Sequence, residues 1–243
     1  MKRDETRAER GSNHWTLRLG WDYETSELSR EDLPDRVDVL ALEMVYVPAC
    51  SFEAGDPAGA EGPDNAFFED DPERAGTFSV SSAGAIEVCN GPGSLCYTDG
   101  GGDQSGPIPA AYPNGYEAFY LMKYKVTQGQ YADFLNTLRD IQTVNRAIHA
   151  GRDYYAGRGS IVFENGRYRA RQPDWGCGFL GWADAAAFAD WAALRPYTEL
   201  EYEKAARGPA EPVPNEYAWG STEIEHSRRL LVAENILAES ENG

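Results

Sequence analysis

The sequence predicts an α+β domain with long irregular loops. Three observations carry that prediction. An alternating segment runs straight into a capped helix at residues 119–138, an Asn-Gly hairpin spans residues 161–170, and a Gly/Pro-rich acidic tract fills residues 53–117. The first 40 residues are polar and charge-mixed, with a short aromatic passage from His14 to Tyr23, and read as an N-terminal tail or the end of an upstream element. Residues 41–243 then form the domain. Its opening strand is apolar, Met44-Val45-Tyr46-Val47, closed by Pro48.

The loop-like tract from Glu53 to Glu117 holds 12 of the 25 glycines, 7 of the 14 prolines, 12 acidic residues and one basic residue, Arg74. A short strand is expected inside it at Thr77 to Val80. The run Asp99-Gly100-Gly101-Gly102-Asp103 invites a calcium reading but lacks the acidic spacing and distal Glu of a helix-loop-helix calcium loop. It is read as a solvated loop.

Beyond the tract, Tyr120, Met122, Tyr124 and Val126 alternate with Phe119, Leu121, Lys123 and Lys125, which predicts a strand with one buried face. Thr127 and Gln130 form a capping-box pair, and Tyr131, Phe134, Leu135 and Leu138 fall on one helical face. Asn165-Gly166 between two short β-prone runs suits a type I′ turn, since both residues tolerate positive φ. An alanine-rich helix is expected from about Ala183 to Ala193, with Phe188 and Trp191 inward and Arg195-Pro196 marking its end. A third helix starts at the capping box Thr198/Glu201 and stops at Gly208-Pro209. No fixed-period repeat is present.

Composition narrows the function classes. With 42% hydrophobic residues the 243-residue chain builds a sizeable core, and its net charge of −18 sets a repulsive field against nucleic-acid phosphates. No apolar stretch is long enough for a membrane helix, and Met1 to Arg10 lacks the apolar segment of a signal peptide, so a cytosolic location is expected. Cys50, Cys89, Cys96 and Cys177 show no Cys-x-x-Cys spacing. Cys89 and Cys96 are placed to close a loop disulfide, but reduced thiols are the expectation for a cytosolic chain. His14, His149 and His226 are too far apart in sequence for a His-x-x-x-His metal site.

Four ordered motifs carry a family resemblance. Glu43 to Pro48 with Ser51-Phe52 and Gly55-Asp56 is the first, and Phe119 to Tyr131 the second. Leu180 to Ala185 with Trp191 and Leu194 to Gly208 make the third, and Tyr217-Ala218-Trp219-Gly220 the fourth. Together they resemble the formylglycine-generating-enzyme, or sulfatase-modifying-factor, domain family. That resemblance implies a C-type-lectin-like α+β fold. Trp182, Trp191, Tyr202 and Trp219 are then expected as rings of a loop-rich core, and Lys123, Arg195, Glu199 and Arg207 as members of structural ion pairs.

The family's enzymes bind copper with a cysteine pair near the C-terminal end of the domain, following a Gly-Asn-x-Trp-Glu-Trp motif. Neither has a match here, and no cysteine of this chain occupies the matching position, so the domain is read as lacking its C-terminal part and no catalytic residue is assigned. Glu234-Asn235-Ile236 resembles the segment that helps hold a structural calcium in the family, so Asn235 and Ile236 are a partial calcium site at most. Passages such as Ala111 to Tyr116 and Gly208 to Pro212 resemble a phage and bacterial branch, which adds a phage particle as an alternative location.

The expected function is a non-catalytic ligand- or receptor-binding module, or a truncated piece of one. The alternative is the N-terminal portion of a formylglycine-generating-type oxidase. One local charge feature points to a ligand. Between Arg139 and Arg171 seven arginines face three acidic residues, and Arg167, Arg169 and Arg171 alternate along the hairpin and share one face. Such a row suits a protein or small-molecule carboxylate or phosphate. The competing reading is that the row pairs with the acidic tract or is simply solvated.

Overall fold

The computed structural model describes residues 40–61, 66–71, 76–98, 105–147, 159–218, 220–223, 228–232 and 236–240. The chain divides into two units, residues 1–41 and 42–243, and every element below belongs to the second.

Among the described residues, ten short strands pair as five antiparallel ribbons. β1 (Met44–Val47) pairs with β6 (Phe119–Met122), β2 (Phe52–Ala54) with β4 (Phe78–Val80), and β3 (Phe67–Asp70) with β5 (Ser94–Tyr97). β7 (Ile161–Glu164) pairs with β8 (Arg167–Ala170), and β9 (Arg228–Val232) with β10 (Ile236–Ser240). Four α-helices accompany them among the described residues: α1 (Gln128–Thr137), α2 (Asp140–Thr143), α3 (Trp182–Trp191) and α4 (Glu199–Arg207). No described helix is long and apolar enough to cross a membrane.

The helix signals act as the sequence predicts. At α1 the Thr127 hydroxyl accepts from the Gln130 amide while the Gln130 side chain accepts from the Thr127 amide, and Thr198 and Glu201 repeat this at α4. Gly208 ends α4 with φ +65°. At the hairpin turn Asn165 and Gly166 take φ +52° and +75°, the conformation expected of the pair.

Two apolar clusters form the interior. The first is helical: Tyr131, Phe134 and Leu135 of α1 and Phe188 of α3 are buried against Ile161 of β7. The second lies under the ribbons, where Phe52, Ala54, Val80, Ile86 and Leu95 meet Leu200 of α4. Irregular backbone packs close against the first. Residues 173–177 run along the start of α1, where Gly129 and Gln128 donate to the Pro173 and Trp175 carbonyls. A Cβ on Gly129 would lie 2.9–3.0 Å from Pro173, so only glycine permits that approach. Gly55 is tighter still, since a Cβ there would strike the Phe67 carbonyl.

Several expectations are corrected. The alternating strand stops at Met122, and Tyr120 and Tyr124 are exposed because β1 and β6 form a bare two-stranded ribbon. Tyr46 and Tyr120, directly opposite, pack against each other at a tilt with ring centroids 5.3 Å apart instead of entering a core. Trp182 is 74% exposed: it is the first helical residue of α3, whose inward positions begin at Asp184 and Phe188. Tyr202 is exposed because Leu200, Glu201 and Lys204 are the residues of α4 that turn inward. Trp191 is half-buried and touches Phe134 and Phe188, each with ring centroids at 5.5 Å. Trp219 and the Asp99–Asp103 run lie outside the described residues.

Candidate functional site: the arginine face of the hairpin

The β7–β8 hairpin presents the arginine row as the alternation predicts. Arg167, Arg169 and Arg171 are all exposed, while Tyr168 and Ala170 between them lean on the helical core. The hairpin is held rigidly. Tyr168 pairs with Phe163 across the ladder, and the Asn136 side chain of α1 acts like a further strand on the outer edge of β8. Its Oδ1 accepts from the Tyr168 amide at 2.8 Å and its Nδ2 donates to the Tyr168 carbonyl at 2.9 Å. At the base, Ser160 is fixed by buried Gln128, whose Oε1 accepts from the Ser160 amide at 2.8 Å and from its hydroxyl at 2.6 Å. The arginine side chains therefore stand on a backbone pinned to α1 at two points, Asn136 and Gln128.

Only one of the three has an ionic partner among the described residues. Arg171 Nη2 lies 3.0 Å from Glu164 Oε1, an exposed pair within the hairpin itself. Arg167 and Arg169 pair with no described carboxylate, so the clamp onto the acidic tract is not seen among the described residues. Two guanidinium groups on alternate residues of one strand face stand within reach of a single polyanion.

The family-motif charges are structural, with one exception. Lys123 pairs with Glu43 at 2.7 Å, joining the ends of the β1–β6 ribbon, and that hydrogen bond raises the lysine pKa. Glu201 is buried and receives Arg195 at 2.6 and 2.8 Å together with the Thr198 amide. Burial pushes its carboxyl up, but these donors outweigh burial and hold the pKa below the ordinary value. Arg207 meets Glu216 at 2.6 Å and Glu203 at 3.7 Å and also donates to the Glu53 carbonyl. The exception is Glu199, which has no ion pair among the described residues; desolvation and the Glu203 carboxylate one turn on raise its pKa.

Sequence reasoning missed Lys204, which is 1% exposed. Its Nζ donates to the carbonyls of Gly115, Tyr116 and Glu117 at 2.6, 2.9 and 3.3 Å and lies under 6 Å from the Phe52 and Phe119 rings. The available signal was its i+4 spacing from Leu200, which places it on the inward face of α4. Asn136 and Gln128 were missed as well, because a backbone-bracing amide leaves no pattern in sequence.

The four cysteines fall into three environments. Cys89 and Cys96 are bonded to each other with Cα atoms 5.1 Å apart, which overturns the expected reduced pair: β5 and the turn before it bring the two residues together. Cys177 packs on the helical core, and burial pushes its thiol up to about 12. Cys50 stands beside Tyr116, to whose carbonyl its amide donates. Of the partial calcium site, Asn235 lies outside the described residues and Ile236 opens β10 opposite Val232.

A loop-rich α+β domain with two capped helices and a pinned hairpin is thus the class that the fold defines. The sequence profile of the Sulfatase-modifying factor enzyme 1-like domain matches residues 42–236, and the chain belongs to that family. No curated protein and no solved structure matches the chain.

Proposed function

We propose that this chain is a non-catalytic, ligand-binding member of its family, and that the hairpin face of Arg167, Arg169 and Arg171 takes a carboxylate- or phosphate-bearing partner. The observation that carries this reading is the pair of exposed guanidinium groups on a braced strand, without an ion pair among the described residues, in a chain with net charge −18. Lys125 and Arg139 are also exposed without an ion pair among the described residues; Arg167 and Arg169 differ from them in sharing one face of one strand. Reversing both, in an Arg167→Glu/Arg169→Glu variant, is expected to abolish binding of citrate and inorganic phosphate while leaving the melting temperature unchanged. A variant that binds both anions as before removes the site.

The cysteines favour binding over oxidation. Copper(I) of the family's enzymes needs two thiolates held together. Cys89 and Cys96 are consumed by each other, Cys177 packs on the helical core and Cys50 lies beside Tyr116, which supports the reading that no two of these thiols form a copper pair. The competing reading, a portion of a formylglycine-generating oxidase, rests on family membership. Mass spectrometry of a sulfatase-type cysteine peptide, incubated aerobically with copper and this chain, is expected to show the thiol intact.

A further inference from the structure

The sequence holds four Asn-Gly pairs, at residues 90–91, 114–115, 165–166 and 242–243, and the last lies outside the described residues. Glycine after asparagine leaves the following main-chain nitrogen unshielded, because no Cβ blocks its approach to the carboxamide carbon. The three described pairs differ in how far the fold permits that approach.

Asn114 is held away from the reaction. It is 4% exposed, its Nδ2 donates to the Ser82 and Gly84 carbonyls at 2.9 and 3.1 Å, and its Oδ1 accepts from the Tyr116 amide at 3.0 Å. Gly115 is equally confined, since a Cβ there would lie 3.0 Å from the Leu200 carbonyl oxygen. Asn90 is exposed but stands in the loop closed by the Cys89–Cys96 bond. Its amide donates to Ser94 Oγ at 3.0 Å, and its Nδ2 lies 3.5 Å from Glu87 Oε2. Asn165 has none of these restraints. Asn165 and Gly166 form the exposed tip of the β7–β8 hairpin, and among the described residues neither the Asn165 side chain nor the Gly166 amide has a hydrogen-bond partner. A Cβ on Gly166 would meet nothing within 4 Å, so the carboxamide has room to swing onto the main chain. The braces at Ser160 and Tyr168 both grip below this tip.

We propose that Asn165 is a self-modification site, where the hairpin tip deamidates without an enzyme. The Gly166 nitrogen gives up its proton and bonds to Asn165 Cγ, the side-chain Cγ–N bond breaks, and the amino group leaves with that proton as ammonia. Water then opens the succinimide ring at either carbonyl, giving aspartate or isoaspartate, and no oxidant or reductant enters. Each product carries one new carboxylate two residues before Arg167. The isoaspartate product also inserts a methylene into a two-residue turn whose length fixes the strand register. That the new charge weakens anion capture at Arg167 and Arg169 rests on the proposed function; the modification itself does not.

The test is peptide mapping by mass spectrometry after the intact chain has been incubated in mildly alkaline buffer at body temperature, in ordinary water and in ¹⁸O-water. The peptide holding Asn165 is expected to gain the mass of amide-to-acid exchange, to take up one oxygen label, and to split into two product peaks. Its rate is expected to exceed that of Asn114 roughly a hundredfold, since three hydrogen bonds there must break before the ring closes. In urea, where the fold no longer protects Asn114, the two rates are expected to converge. Asn165→Asp fits the same turn and stands for the aspartate product, and it is expected to bind citrate roughly two- to fivefold more weakly. Equal rates at Asn165 and Asn114 in the folded chain, or an Asn165 that reacts only in urea, overturn the site. If Asn165 reacts as expected but Asn165→Asp binds citrate as the unmodified chain does, the effect on the arginine face is overturned. An unmodified chain that binds no citrate overturns the anion-binding reading instead and leaves the mass result to decide the site.

Discussion

Lys204 offers the sharpest test of how this domain is held together. Its ammonium donates to three successive carbonyls, those of Gly115, Tyr116 and Glu117, and so fastens the segment entering β6 to α4; the Tyr116 carbonyl also accepts from the Cys50 amide. Lys204→Met keeps most of the volume of the buried stem and removes only the charge and its three hydrogen bonds. A hydrogen bond to a charged group contributes roughly 1.5–3 kcal/mol, and an acceptor left unsatisfied in the interior costs about 1–3 kcal/mol. The three acceptors share one ammonium, the Tyr116 carbonyl keeps the Cys50 amide, and acceptors near the surface recover water, so the contributions do not add in full. A net loss of about 2–4 kcal/mol is expected, since two neutral acceptors lose their charged donor. Urea denaturation reads it as a lower midpoint at unchanged slope. Burial also lowers the Lys204 pKa, because desolvation disfavours the ammonium. If that desolvation outweighed the three carbonyls, methionine would be neutral or stabilising. A loss below about 1 kcal/mol therefore refutes the fastening role.

Two further predictions rest on the helical core and on α4. Phe188→Ala, at a site 2% exposed, is expected to cost about 3–5 kcal/mol, and Trp191→Ala less than that because the indole is only half-buried; the reverse order in urea denaturation would misplace the core. Glu201 has its pKa lowered in the folded state, so its stabilisation is complete above the ordinary glutamate value of 4.5 and is lost as pH falls through the lowered folded value. Glu201→Gln keeps the capping box but not the Arg195 ion pair, so stability profiles of the two proteins against pH are expected to differ at neutral pH and converge in that acidic window.

Local chemistry was the legible part of this fold. Thr127/Gln130, Thr198/Glu201 and Asn165-Gly166 each specify a conformation within four residues, and each is found as read. What the sequence misplaced depends on partners distant in the chain. Tyr120 alternates correctly with its neighbours, yet whether its face is buried depends on what covers a two-stranded ribbon. Trp182 and Tyr202 sit in family motifs that suggested core rings, but the rotation of α3 and α4 is set by Phe188 and Lys204. The arginine alternation was visible because a strand repeats every two residues. The Asn136 and Gln128 braces that hold it were not, since each spans 32 residues.

The most direct test of the binding role is to locate where an anion lands. Amide chemical shifts of the ¹⁵N-labelled chain are followed during titration with citrate. Perturbations are expected to concentrate at Arg167, Arg169 and Arg171 and across the strand at Val162, with the amides of the ribbon cluster around Phe52 and Val80 unmoved. Shifts that leave the hairpin untouched, or that spread evenly over the chain, contradict the account.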